Sequence, residues 1–117
     1  MRKTDKKRDN NIRQVLTDVC ETALDDYLGF QWLTHQVNYA VFPQSLKVIC
    51  IFDTNDHLKV FRKSAAQQTM NYNIKTALAE VSAPIEDCVR QIIYDSEENC
   101  EREHAGDWEE RLQPSLH

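Results

Sequence analysis

Ile85-Glu86-Asp87-Cys88-Val89-Arg90-Gln91-Ile92-Ile93-Tyr94 is the stretch that decides the fold. Ile85, Cys88, Val89, Ile92 and Ile93 recur at helical spacing. Yet the run 89–94, V-R-Q-I-I-Y, is β-branched and aromatic, follows Pro84 and stops at Asp95-Ser96, which marks a strand. The rest of the chain breaks the tie. Only two other segments read as strands, and two strands alone make a poorly stable sheet. A third strand over 89–94 is therefore expected.

Working outward, 46–52 reads L-K-V-I-C-I-F, nearly continuous apolar residues suited to a central strand covered on both faces or on one face plus an oligomer contact. The segment 30–41 reads as its partner. Leu33, His35, Val37, Tyr39 and Val41 share one parity, whereas Phe30 and Trp32 have the other, which points to a bulge or a strand start near Trp32. The short link Phe42-Pro43-Gln44-Ser45 makes these two strands antiparallel. A helix is expected over 11–27, with Ile12, Val15, Leu16, Val19, Cys20, Ala23, Leu24 and Tyr27 on one face and Gly29 past its end. Asp53-Thr54-Asn55-Asp56 caps a short helix that turns Leu58 and Phe61 inward. Ser64 with Gln67 fits a capping box opening a second long helix to about residue 81, its stripe Ala66, Met70, Ile74, Ala77, Leu78 and Val81. Asn71-Tyr72-Asn73 is the place for a kink. Asp95 or Ser96 caps an acidic helix through about residue 104, after which Trp108 and Leu112 tether the tail.

The expected architecture is α+β, a two-layer sandwich of a three-stranded sheet with helices on one face, in the order α-β-β-α-α-β plus an acidic C-terminal helical tail. Residues 1–10 form a basic N-terminal arm, 11–94 one domain, and 95–117 an acidic appendage. The 117 residues suffice for one core. No apolar run is long enough to cross a bilayer, and no hydrophobic signal core follows the charged start MRKTDKKRDNN, so a cytoplasmic chain with no membrane partner is expected. Cys20 and Cys50 read as reduced core thiols.

Charge is polarised. Residues 1–13 hold six basic and two acidic side chains, net +4, whereas 95–117 hold two basic and eight acidic, net −6, within a whole-chain charge of −5. Arg2, Lys3, Lys6, Lys7, Arg8 and Arg13 make one basic cluster, and Lys59, Arg62 and Lys63 a smaller one near the short helix. Together they are candidates to hold an RNA or DNA backbone, or an acidic protein surface. The plain alternative is solubilising charge. Cys100 and His104, four apart on a helix, are candidate metal ligands, with Glu97, Glu101 or Glu103 as further donors. The alternative is an inward Cys100 and a His104 that caps the last turn. Acidic neighbours disfavour a thiolate nucleophile there. His35 sits on an apolar parity and reads as a hydrogen-bonded sheet residue. Neighbouring carboxylates Asp25-Asp26 and Glu97-Glu98 do not converge on one substrate atom. No Gly-rich phosphate loop, G-x-S-x-G or H-E-x-x-H occurs, so a non-enzymatic module without a cofactor is expected.

The opening amphipathic helix, the strand pair and V-R-Q-I-I-Y-D-S-E-E at 89–98 give an element order that resembles ribosome-binding factor A and type II KH-like domains over about 11–100. The resemblance implies association with a ribonucleoprotein or nucleic acid. A G-x-x-G nucleotide clamp is not carried over, because Gly29 and Gly106 are the two glycines and lie far apart. The whole sequence also resembles a small, uncharacterised bacterial family sometimes labelled Fis-family regulators. That label implies a C-terminal helix-turn-helix with a basic recognition helix, whereas D-S-E-E-N-C-E-R-E-H carries net −4 before its histidine. The competing expectation is a protein–protein regulator or homodimer that uses the apolar central strand or the acidic tail with Trp108.

Overall fold

The computed structural model describes residues 2–113. Their elements are α1 (Lys3–Asp26), β1 (Phe30–Gln36), a 3-10 turn (Tyr39–Val41), β2 (Lys47–Phe52), α2 (Asn55–Lys63), α3 (Ala66–Glu80), α4 (Cys88–Gln91), β3 (Ile92–Ser96), α5 (Glu97–His104) and α6 (Trp108–Arg111). The sheet order is β1-β2-β3. β1 and β2 are antiparallel, and the register slips between Phe30 and Trp32, the bulge that the parity change predicts. β3 runs parallel to β2 and sets Val48 against Ile92 and Cys50 against Tyr94. The α+β fold with a three-stranded sheet is as expected.

The deciding stretch obeys both of its signals in succession. Asp87 accepts from the Arg90 amide and opens the single turn of α4 before the chain extends into β3. The buried Gln91 supports this change of direction. Its side-chain oxygen accepts from the Glu86 and Asp87 amides, and its nitrogen donates to the carbonyls of Pro43 and Leu46. The strand therefore occupies 92–96 rather than 89–94.

Elsewhere the differences have local causes. α1 begins at Lys3, so the basic residues of 1–10 belong to a helix rather than to a separate arm. Lys and Arg are good helix formers, and nothing before residue 27 breaks the pattern. β1 stops at Gln36 because Asn38 caps the 3-10 turn, accepting from the Ala40 amide and donating its own amide to Ser45 Oγ. Ser64 does not build the capping box. Its amide closes α2 onto Phe61, and its hydroxyl accepts from the Ala66 amide. α3 passes through 71–73 unbroken, and Asn71 Oδ1 accepts from the Tyr94 hydroxyl at 2.6 Å.

One core lies between the sheet and α1, α2 and α3. Ile12, Leu16, Met70, Ile74 and Leu78 meet Val48, Cys50, Phe52 and Tyr94 there. Tyr27, Phe61, Phe52 and Phe30 add a chain of aromatic contacts. Gly29 lets the chain turn tightly into β1. Its φ is +86°, and a Cβ there would stand 2.6 Å from Asp53 and His57.

The second face of β2, Ile49 and Ile51, is buried too. Its cover is the C-terminal segment. Trp108 meets Trp32 edge to face at 5.1 Å, and both indoles donate to the two oxygens of Glu97, at 2.8 and 2.7 Å. Arg111 pairs with Asp95, Nε to Oδ2 at 2.6 Å, and also reaches Glu103. Gln36 donates to the Leu112 carbonyl. The tether expected at Trp108 and Leu112 is thus a strap over the outer sheet face, and helical segments cover both faces of β2.

Candidate functional site

The basic cluster at the start of α1 is built on one anchored carboxylate. Asp9 is largely buried. Its Oδ1 accepts from His35 Nε2 and from the Tyr39 hydroxyl, each at 2.8 Å, and its Oδ2 from Arg13 Nη2 at 3.1 Å. Burial raises the pKa of Asp9, but the bonds from His35 and Tyr39 and the charges of His35 and Arg13 outweigh it and hold the carboxyl below its ordinary value. Burial and the Asp9 carboxylate push the Tyr39 phenol up. Arg8 stacks its guanidinium 4.4 Å from the centre of the Phe42 ring. These contacts fix the first turns of α1 to the β1–β2 connection. Arg2, Lys3, Lys6 and Lys7 are exposed, whereas Arg8 is half-buried.

The second basic group sits elsewhere. Lys59, Arg62 and Lys63 are exposed on α2. Arg62 donates to the Tyr94 carbonyl at 3.1 Å and lies 5.9 Å from the centre of that ring. α2 packs at the far end of α1, where Tyr27 touches Phe61 with ring centres 5.1 Å apart. At about 1.5 Å per helical residue, Lys6 lies roughly 30 Å along α1 from that contact. The two basic groups do not form one surface.

Cys100 faces inward and is fully buried. Burial raises its thiol pKa, against the nearby Arg111 charge. His104 Nδ1 accepts from Arg111 Nη1 at 3.2 Å. Among the described residues no group of three or more His, Cys, Asp or Glu side chains is placed to hold a metal ion, so the pair finds no third ligand there. Of the surfaces expected for protein contact, 48–52 is buried and Trp108 is packed on Trp32, whereas Glu98, Glu101, Glu109 and Glu110 of the acidic tail are exposed.

Two features escaped the sequence reading. One is the Asp9–His35–Tyr39 cluster: His35 is the hydrogen-bonded sheet residue expected, but its partners are not visible in the sequence beyond the Asp9–Arg13 spacing. The other is a groove of about 790 Å³ between α1 and β1, lined by Leu16, Thr17, Cys20, Glu21, Leu33 and Val37 among others. A further histidine–carboxylate pair, His57 Nδ1 to Asp53 Oδ1 at 2.7 Å, is half-exposed beside Gly29. The bonds from His57 and the Thr54 amide outweigh burial and lower the Asp53 pKa.

No protein-family model, curated protein or solved structure matches the chain. No helix of the described residues is long and apolar enough to cross a membrane.

Proposed function

We propose that this protein is a non-enzymatic interaction module that holds a nucleic-acid backbone, free or within a ribonucleoprotein, against the first turns of α1. The observation that carries this reading is the Asp9 anchor. It turns the basic start of the chain into a fixed helix that displays Arg2, Lys3, Lys6 and Lys7 together. A pre-ordered row of cations gives up less conformational entropy on meeting phosphates than a free arm does. The positive end of the helix dipole lies at the same place. Lys59, Arg62 and Lys63, at the opposite end of α1, are ordinary surface charge in this reading.

A mobility-shift titration with a mixed RNA and DNA pool, at low and moderate salt, tests it. The wild-type chain is expected to retain nucleic acid with a log–log salt slope of about −3, as for three or four neutralised phosphates. The triple variant Lys3→Glu, Lys6→Glu, Lys7→Glu should lose that retention. The triple variant Lys59→Glu, Arg62→Glu, Lys63→Glu should keep it. Absence of salt-sensitive retention by the wild-type chain refutes the reading.

A further inference from the structure

The two edges of the sheet are treated differently. At β3, Arg62 already bonds the Tyr94 carbonyl, and α2 packs against the strand. β1 has no such cover. Alternate backbone N–H and C=O groups of an edge strand point away from its one partner. Among the described residues, no side chain or loop bonds to the backbone of 32–36 from that open side. The usual edge defences are thin here. β1 reads F-Q-W-L-T-H-Q, with no proline and no Lys, Arg, Asp or Glu. Its one irregularity, the bulge before Trp32, leaves 32–36 in regular register with β2.

This edge forms one lip of the 790 Å³ groove, and α1 forms the other. That volume lies within the range of about 300–1,000 Å³ typical of ligand clefts. Leu16, Cys20, Leu33 and Val37 give the groove an apolar floor. Of its charged residues, Asp9 and Arg13 neutralise each other, which leaves Glu21 as the unbalanced charge on the α1 wall.

The geometry points to a peptide-binding site that works by strand addition. An extended segment of a partner protein would pair with 32–36 as a fourth strand. It would set alternate apolar side chains onto the partly exposed Cys20, Leu33 and Val37 and a basic side chain opposite Glu21. The occupant is a single strand rather than a second copy of this chain. A copy would bring a chain of net charge −5 and a second Glu21 to this acidic wall, whereas a peptide with a basic side chain is complementary to it.

A displayed library of seven-residue peptides with alternating apolar and polar positions provides the probe. Selection on the full chain should enrich peptides that carry Lys or Arg at one polar position. A selected peptide should slow amide hydrogen exchange within 32–36 and leave β3 unchanged. Thr17→Trp fills the groove from an exposed position and should weaken that peptide at least tenfold with an unaltered melting temperature. Glu21→Lys should reverse the charge preference of the selected peptides. The proposal falls if no peptide is enriched, if Thr17→Trp binds as well as wild type, or if the protected amides lie outside β1. It also falls if light scattering shows a dimer whose formation protects those amides, because the occupant is then a second copy.

Discussion

Asp9 takes bonds from three side chains at separate points in the chain, and its removal orphans two of them, because Arg13 is exposed and is hydrated instead. Tyr39 and His35 are half-buried, so their polar atoms cannot turn fully to water. Asp9→Ala is expected to cost about 1–3 kcal/mol, read as a lower urea midpoint with an unchanged slope. The pH dependence has a definite sign. The folded Asp9 pKa lies below the ordinary carboxyl value, as does that of Asp95, where the Arg111, Ser96 and Asn99 bonds outweigh burial. A depressed carboxyl pKa contributes stability that is complete above the unfolded value of about 4 and is lost as pH falls through the folded value. Asp9→Asn should therefore flatten the acid limb of a stability–pH curve, read from urea midpoints on either side of the carboxylate range. None of this was legible at residue 9. Asp9–Arg13 is a visible i, i+4 pair, but His35 and Tyr39 are 26 and 30 residues away, and no local spacing encodes such partners.

The elements were more legible than their partners. Thr54 and Ser96 cap α2 and α5 as their sequence contexts indicate, and the parity change at Trp32 locates the bulge. The boundary inside 88–96 was hidden because Gln91, the residue that ends the turn of α4, is fixed by carbonyls of Pro43 and Leu46, over forty residues earlier. Ser64 was misread for a related reason: its hydroxyl serves the junction of two helices rather than the start of one. α6 and the strap make the clearest prediction at this scale. Trp108→Ala removes an aromatic pair and a hydrogen bond to a carboxylate, about 2–4 kcal/mol together. Limited proteolysis should then cut within 105–113, where the wild-type chain resists, and Ile49 and Ile51 should become reachable by a hydrophobic dye.

At the scale of the whole molecule, α1 sets the shape. Its 24 residues run about 36 Å, close to the long axis of 40 Å. The Cα radius of gyration is 14.2 Å, a little above the roughly 13 Å expected for a compact chain of this length. Charge polarity was legible in the sequence. The separation of the two basic groups was not, because it depends on where α1 starts and which helix meets its far end. Cysteine chemistry follows from the same packing. Cys50 and Cys100 are buried, and burial pushes both thiols up; Cys20 and Cys88 are half-buried. A thiol-reactive disulfide reagent should titrate two of the four cysteines in the native protein and all four in denaturant.

The shared carboxylate of Glu97 has one more outcome. The chain holds two tryptophans, Trp32 on the sheet and Trp108 on α6, and both indole N–H groups rest on that single side chain. Tryptophan emission from the native protein, excited at the red edge where tyrosine does not absorb, therefore originates wholly at this junction. Closure of the C-terminal end carries its own built-in optical gauge, and a red shift on loosening would come from both rings together.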